Sequence, residues 1–243
     1  MVLQRKLGYV FVCCALAAGV PKMRAQSTTV TGRVEVVRQS KVAAKDDSNV
    51  VVWLTPLSEV HDLDAAGRAP RHLRLVQTGK HFEPHLLVVP VGAAVEFPNK
   101  DPFFHNVFSL FEGKRFDLGL YEAGSSRTVY FDKPGISYIF CNIHPQMSAV
   151  VIALNTPYYV LSNRSGMITI PDVPAGRYTL HVWYEDALPE ELNSLTREVT
   201  VSETKHSLGA IALTGKGVMQ LGHKNKYGRD YDDPDPATPG YAR

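Results

Sequence analysis

Residues 135–147 read GISYIFCNIHPQM. Up to Cys141 the stretch alternates apolar and small or polar residues, the period of a β-strand with one face buried. From Asn142 to Met147 the pattern breaks into a tight loop, with Pro145 restricting the backbone. The strand end and its loop therefore present a thiol, an imidazole and a thioether at fixed spacing: Cys141, His144 and Met147. These are soft and borderline donors, better suited to copper than to magnesium or calcium.

The rest of the chain sharpens the reading of that thiol. The first residues, MVLQRKLGYVFVCCALAAGVPKMRAQS, have the parts of a secretory signal. Arg5 and Lys6 open it, an apolar run from Leu7 to Val20 follows, and small residues lead to a cut after Ala25. The run is about 14 residues, short of the roughly 20 that span a bilayer, so export is expected over an uncleaved anchor. Lipidation at Cys13 or Cys14 is disfavoured because Cys13 follows Val12 rather than a small residue. The expected location is periplasmic or secreted, with no membrane span after cleavage.

Loss of residues 1–25 removes Arg5, Lys6, Lys22 and Arg24, taking Lys+Arg from 26 to 22 against 24 Asp+Glu. The whole-chain charge of +2 thus becomes about −2, and no nucleic-acid footprint remains. Two of the three cysteines also leave, so no intrachain disulfide is available and Cys141 stands alone. A lone thiol in an exported chain is intermolecular, reactive or metal-bound.

Helical periodicity is nearly absent. Short runs such as VTGRVEVV, NVVVWLTP, HLLVVP, AAVEF, RTVYF, AVVIAL, MITI and RYTLHVWYE recur between Gly, Pro, Asn and Asp turns. The fold class expected is all-β, built of sandwiches. A second imidazole would complete a His₂Cys set with a weak methionine, the ligand set of blue-copper electron-transfer sites. His105 in VEFPNKDPFFHNVFSL is the candidate, with Phe103, Phe104 and Val107 to keep water away and Asn106 to hold the ligand loop. Read singly, Cys141 could merely pack, His105 could be a bonded strand-end histidine and Met147 could fill a gap. Zinc is the rival metal, since it accepts Cys and His.

FEPHLLVVPVGAAVEFPNKDPFFHNV followed by FDKPGISYIFCNIHPQMSAVVIAL resembles the cupredoxins of the plastocyanin, pseudoazurin and amicyanin group. The likeness covers roughly residues 76–155 of the sequence. It implies a Greek-key β-sandwich holding one type 1 copper. His105, Cys141 and His144 would be equatorial ligands, Met147 the axial one, and Asn106 the supporting asparagine. Asn142 departs from the Ser or Thr that relatives often carry there, and FSLFEGKRFDLGLYEAGSS is unusually long. The resemblance also implies His144 as the electron port, in an apolar patch formed with Pro145, Phe103 and Phe104, where a transient redox partner protein would dock.

Residues 156–214 resemble a carboxypeptidase regulatory-like (transthyretin-like) sandwich through SNRSGMITIPDVPAGRYTLHV. Its usual opening strands are absent there and present at Gly32–Val34 and Val51–Leu54. The expected organisation is a signal at 1–25, first sandwich strands at 28–58, a linker at 59–71, the inserted cupredoxin at 72–155, the sandwich remainder at 156–214 and a flexible tail at 215–243. The alternative is that 28–58 extends the copper domain. Trp183 and Tyr184 suggest a carbohydrate platform or cell-surface contact; the plainer reading has Trp183 in the core and Tyr184 facing out.

Other chemistries are poorly supported. A binuclear copper-A centre needs a second cysteine, and the nine histidines include no His-x-His pair of the multicopper oxidases. His81 and His85 are badly placed to chelate from one strand, His223 reads as solvated, and EDALPEELN reads as a solvated turn. Filled ligand positions leave no open site for a substrate, so electron transfer is expected over an enzyme. Copper storage or delivery, or a glycan- or protein-binding module with a structural metal, are the alternatives.

Overall fold

The computed structural model describes residues 27–38, 46–58, 72–110, 112–215 and 223–231. The expected signal at 1–25 and the linker at 59–71 lie outside the described residues. The fold is all-β, with one short helix.

Two sandwiches stack face to face. In the outer one, β1 (Ser27–Arg38) lies between β13 (Met167–Pro174) and β16 (Ser207–Gly215). The second sheet runs β12 (Tyr159–Leu161), β2 (Val51–Pro56), β14 (Gly176–Trp183), β15 (Arg197–Val201). Thus β1 and β2 pair with strands from residues 159–215, and the chain between them forms the other sandwich. The helix, α1 (Pro189–Leu195), occupies most of the stretch read as a solvated turn.

The inner sandwich has a five-stranded sheet ordered β5 (Leu86–Pro90), β11 (Ser148–Leu154), β10 (Gly135–Cys141), β7 (His105–Ser109), β8 (Phe116–Tyr121). It faces β6 (Ala93–Pro98) paired with β9 (Ser126–Phe131). A hairpin of β3 (Val76–Thr78) and β4 (His81–Glu83) joins that side through parallel bridges Arg74–Glu96 and Gln77–Asn99.

Strand periodicity explains why the sandwiches share a face. In β11, Ala149, Val151 and Ala153 enter the inner core with Phe97, Phe131 and Ile139. The alternate residues Val150, Ile152 and Leu154 turn outward onto Val51 and Trp183 of the outer sandwich. A strand buried on both faces reads as one apolar run, as AVVIAL does. In β2, likewise, Val52 and Leu54 enter the outer core while Val51 meets the inner sandwich.

Trp183 and Tyr184 are both buried, so neither ring is a platform offered to solvent. Trp183 fills the joint between the sandwiches, in the same apolar cluster as Tyr138 of β10. Tyr184 is part of the outer core, not outward-facing, and its hydroxyl accepts from Arg38 at 3.0 Å. Alternation holds here: Tyr178, Leu180, Val182 and Tyr184 share the outer-core face, and Trp183 on the opposite face is covered by the inner sandwich, so both rings are buried.

Candidate metal centre

Cys141 ends β10 and His105 opens β7, and the two strands are neighbours, with Cys141 opposite Val107. The first loop residues fold back tightly: the Met147 N–H donates to the His144 carbonyl, and Cys141 N–H donates to the Met147 carbonyl, each at 3.1 Å. Local sequence thus closes a small ring around the strand end, and strand pairing delivers His105 to it.

The three nearest donors converge. Cys141 Sγ lies 3.3 Å from His144 Nδ1 and 3.6 Å from His105 Nδ1. All three atoms lie within 4.8 Å of one another, the one such His/Cys/Asp/Glu cluster among the described residues. A metal about 2.0–2.3 Å from sulfur and nitrogen donors separates them by roughly 3.6–3.8 Å, so the two sulfur–nitrogen distances lie within a few tenths of an ångström of those a shared metal would set. Met147 is buried in the same apolar cluster as Cys141. A borderline or soft ion fits this set; a hard oxygen-seeking one does not.

His105 is aimed by groups the sequence reading assigned no role. Its Nε2 donates to Asp101 Oδ2 at 2.9 Å, leaving the Nδ1 lone pair for the common point. Asp101 accepts in turn from the backbone N–H of Lys80, at 3.0 Å, and of Gly79. Those two residues form the two-residue turn between β3 and β4, with φ of 59° and 61°. Such a turn with both central residues left-handed is the tight hairpin form, and it points two successive N–H groups one way. Burial alone would raise the Asp101 carboxyl, but these N–H bonds and the His105 ring hold it below its ordinary value. Asp101 therefore stays a carboxylate.

Charge is kept low where the donors meet. Burial pushes the His105 imidazole down, against the pull of Asp101. Burial, with the neighbouring His105 ring, takes His144 down to about 4. Burial pushes the Cys141 thiol up. At neutral pH the metal-free protein therefore holds two neutral imidazoles and a neutral thiol. Binding a metal through the thiolate releases one proton.

The remaining candidates fall into place around this point. Phe103 is half-buried and packs against both imidazoles, with ring centroids 5.4 Å from His105 and 5.5 Å from His144. It is a wedge more than a surface residue. Phe104 is 42% exposed and Pro145 is exposed beside half-buried His144, joined by Ile143 at 40%, which the sequence reading did not single out. Asn106 donates from Nδ2 to Asp117 Oδ1 at 2.8 Å, and its carbonyl accepts the Asn142 N–H at 2.8 Å. Asn142 Oδ1 accepts from the backbone of Lys226 at 2.9 Å.

His81 and His85 have separate partners: His81 Nδ1 bonds the Gly79 carbonyl, while His85 Nε2 bonds Glu185 at 2.7 Å. The latter pair lines a cleft of about 430 Å³ between the sandwiches, with Arg38, Asp46, Trp183 and Asp186.

No family model and no curated protein matches the chain. Among solved structures it is similar to a purple cupredoxin from Nitrosopumilus maritimus, at 24% identity and a TM-score of 0.31 over 34% of this chain and 99% of that one. A reduced amicyanin variant is 23% identical, with a TM-score of 0.32 over 42% of this chain and 99% of that one. A copper-containing nitrite reductase from Thermus scotoductus is 24% identical, with a TM-score of 0.34 over 39% of this chain and 27% of that one. No helix among the described residues is long and apolar enough to cross a membrane.

Proposed function

We propose that the chain is an exported copper protein that moves single electrons. In this reading His105, Cys141 and His144 would hold one type 1 copper, with Met147 as a further, weak donor. Bound there, the ion supplies one-electron chemistry between Cu(I) and Cu(II). The observation that carries the reading is the convergence of one thiol and two imidazoles, 3.3 and 3.6 Å from sulfur to nitrogen, in a buried, sheet-anchored corner.

The chain's own residues fit that task. Cys141 and His105 sit on paired strands, so the donors need little movement between the two metal states. Asp101 keeps His105 in one tautomer and one orientation. Phe103 keeps water from both imidazoles. His144 is the donor nearest the surface and is framed by Phe104, Ile143 and Pro145, an apolar patch suited to brief contact with a redox partner protein. In this reading the Cys141 thiolate, both imidazoles and the Met147 thioether would fill the coordination sphere, which favours an electron carrier over an enzyme and over a metal-delivery protein with an open site.

Repeated electrochemical cycling of the copper-loaded protein in the presence of a Cu(I) chelator tests this. A carrier keeps its copper through many cycles. Steady transfer of copper to the chelator on reduction would make the protein a storage or delivery protein instead.

A further inference from the structure

Residues 223–231, placed in a flexible tail by the sequence analysis, lie against the donor corner. The segment has a local reason to hold its shape. Asn225 Oδ1 accepts from the N–H groups of Tyr227 and Arg229 at 3.0 and 3.1 Å. The Asn225 N–H donates to the Arg229 carbonyl, and its carbonyl accepts from Gly228 N–H, each at 2.9 Å. Gly228 supplies the left-handed φ of 74° that closes the turn. Lys224 and Asp230 pair across it at 2.6 Å.

The outward contacts of this turn converge on the strand end that carries Cys141. The Tyr231 hydroxyl donates to the Cys141 carbonyl at 2.6 Å. The His223 ring, in contrast to the solvated histidine expected, stacks on Phe140 at 4.2 Å and meets the Tyr231 ring edge-on. Lys226 bonds twice: its N–H to Asn142 Oδ1 and its Nζ to Asp117 Oδ2 at 2.8 Å. Because Asp117 also holds Asn106, and Asn142 N–H holds the Asn106 carbonyl, the four residues form a closed hydrogen-bonded circuit. Two of its members follow His105 and Cys141 in the chain.

We propose that residues 223–231 are a strap that completes the donor site, with Tyr231 and Lys226 as positioning residues that hold the Cys141–Asn142 peptide and keep water from the thiol. A strand-end carbonyl needs a donor, and water would supply it if Tyr231 did not. The phenol does so with an apolar ring, so the same bond that fixes the peptide also shields it. The strap rests on the copper reading only for its effect on the bound metal; the shielding of the thiol does not depend on any metal.

The test uses the full chain, made metal-free, and follows modification of Cys141 by an aromatic disulfide reagent. Tyr231→Phe should speed the reaction about fivefold, the factor that loss of one hydrogen bond of ordinary net worth gives to a local opening. Lys226→Ala, which keeps the backbone bond to Asn142, should give a smaller increase. A chain ending at residue 222 should exceed both; if it does not fold, the point variants still decide. In the copper-loaded protein, Tyr231→Phe should lower the reduction potential, because water reaching the site favours the more charged oxidised state. A Tyr231→Phe thiol rate equal to wild type overturns the strap, whatever the melting temperature does. A faster rate in a protein that shows no copper band supports the strap and overturns the copper reading instead.

Discussion

In the outer sandwich, buried polar side chains serve the backbone. Asp47 accepts from Val36 N–H at 3.1 Å, Ser162 Oγ donates to the Asp47 carbonyl and accepts from Val50 N–H, and Thr156 Oγ donates to the Leu54 carbonyl. In the inner sandwich, buried His105 and Cys141 turn toward His144 and a common point, and Asp101 is there to aim one of them. In both sandwiches most buried polar side chains are bonded, Ser109 Oγ of the inner one being an exception among the described residues. The difference is in what is left over: among the described residues the outer sandwich has no converging His, Cys, Asp or Glu donors, while the inner one aims nitrogen and sulfur at one place. Polar burial by itself is thus a feature of sheet ends, and only its direction marks a site.

The layer around Trp183 joins the two sandwiches. Trp183→Ala tests that most severely. Removal of a buried tryptophan that touches both sandwiches should cost about 3–5 kcal/mol in chemical denaturation. A loss under about 1 kcal/mol would mean that the joint contributes little and that the two halves stand alone.

Asp101→Asn sharpens the contrast at the site itself. The variant keeps shape and removes the charge, so the His105 tautomer is no longer fixed. Metal affinity should fall about 10- to 100-fold by competition titration, with little change in melting temperature. A large stability loss with affinity intact would make Asp101 a structural group like Asp47. Met147→Leu is a gentler change. Colour should persist while the reduction potential rises, as expected when a weak axial donor is lost; an unchanged potential would place Met147 among the packing residues.

The sequence carried the donors and not their supports, for a physical reason. GISYIFCNIHPQM shows its strand by alternation and its donors by spacing, both local signals. His105 could be added because an apolar setting and a strand-end position are also local. Asp101 is four residues before His105, yet its hold comes from Gly79 and Lys80, more than twenty residues away, through backbone groups with no side-chain signature. Residues 223–231 have the composition of a tail, and their partners lie between 84 and 109 residues upstream in the bonds to Asn142 and Asp117. Tyr184 was misread because Trp183 was assigned to the core face; Tyr184 shares the face of Leu180 and Val182, and Trp183 is buried by a second sandwich that no local signal announces.

The smallest expected effect lies in the cleft between the sandwiches. The bond to Glu185 raises the His85 pKa above its ordinary value, despite opposing burial. A raised histidine stabilises the fold fully below the unfolded value near 6.5, and that contribution is lost as pH rises through the higher folded value. His85 is half exposed, so screening limits the effect to at most about 0.5 kcal/mol. Denaturation midpoints between pH 6 and 8 should fall slightly in wild type relative to Glu185→Gln. Parallel curves would remove the pair from the account of the joint.

The central claim is that Cys141, His105 and His144 form one copper site, and the visible absorption spectrum of the Cu(II)-loaded protein beside Cys141→Ser tests it most directly. The account predicts an intense thiolate-to-copper band in the wild-type protein that is absent from the folded variant. A folded wild-type protein without that band, or a band that survives in Cys141→Ser, would contradict it.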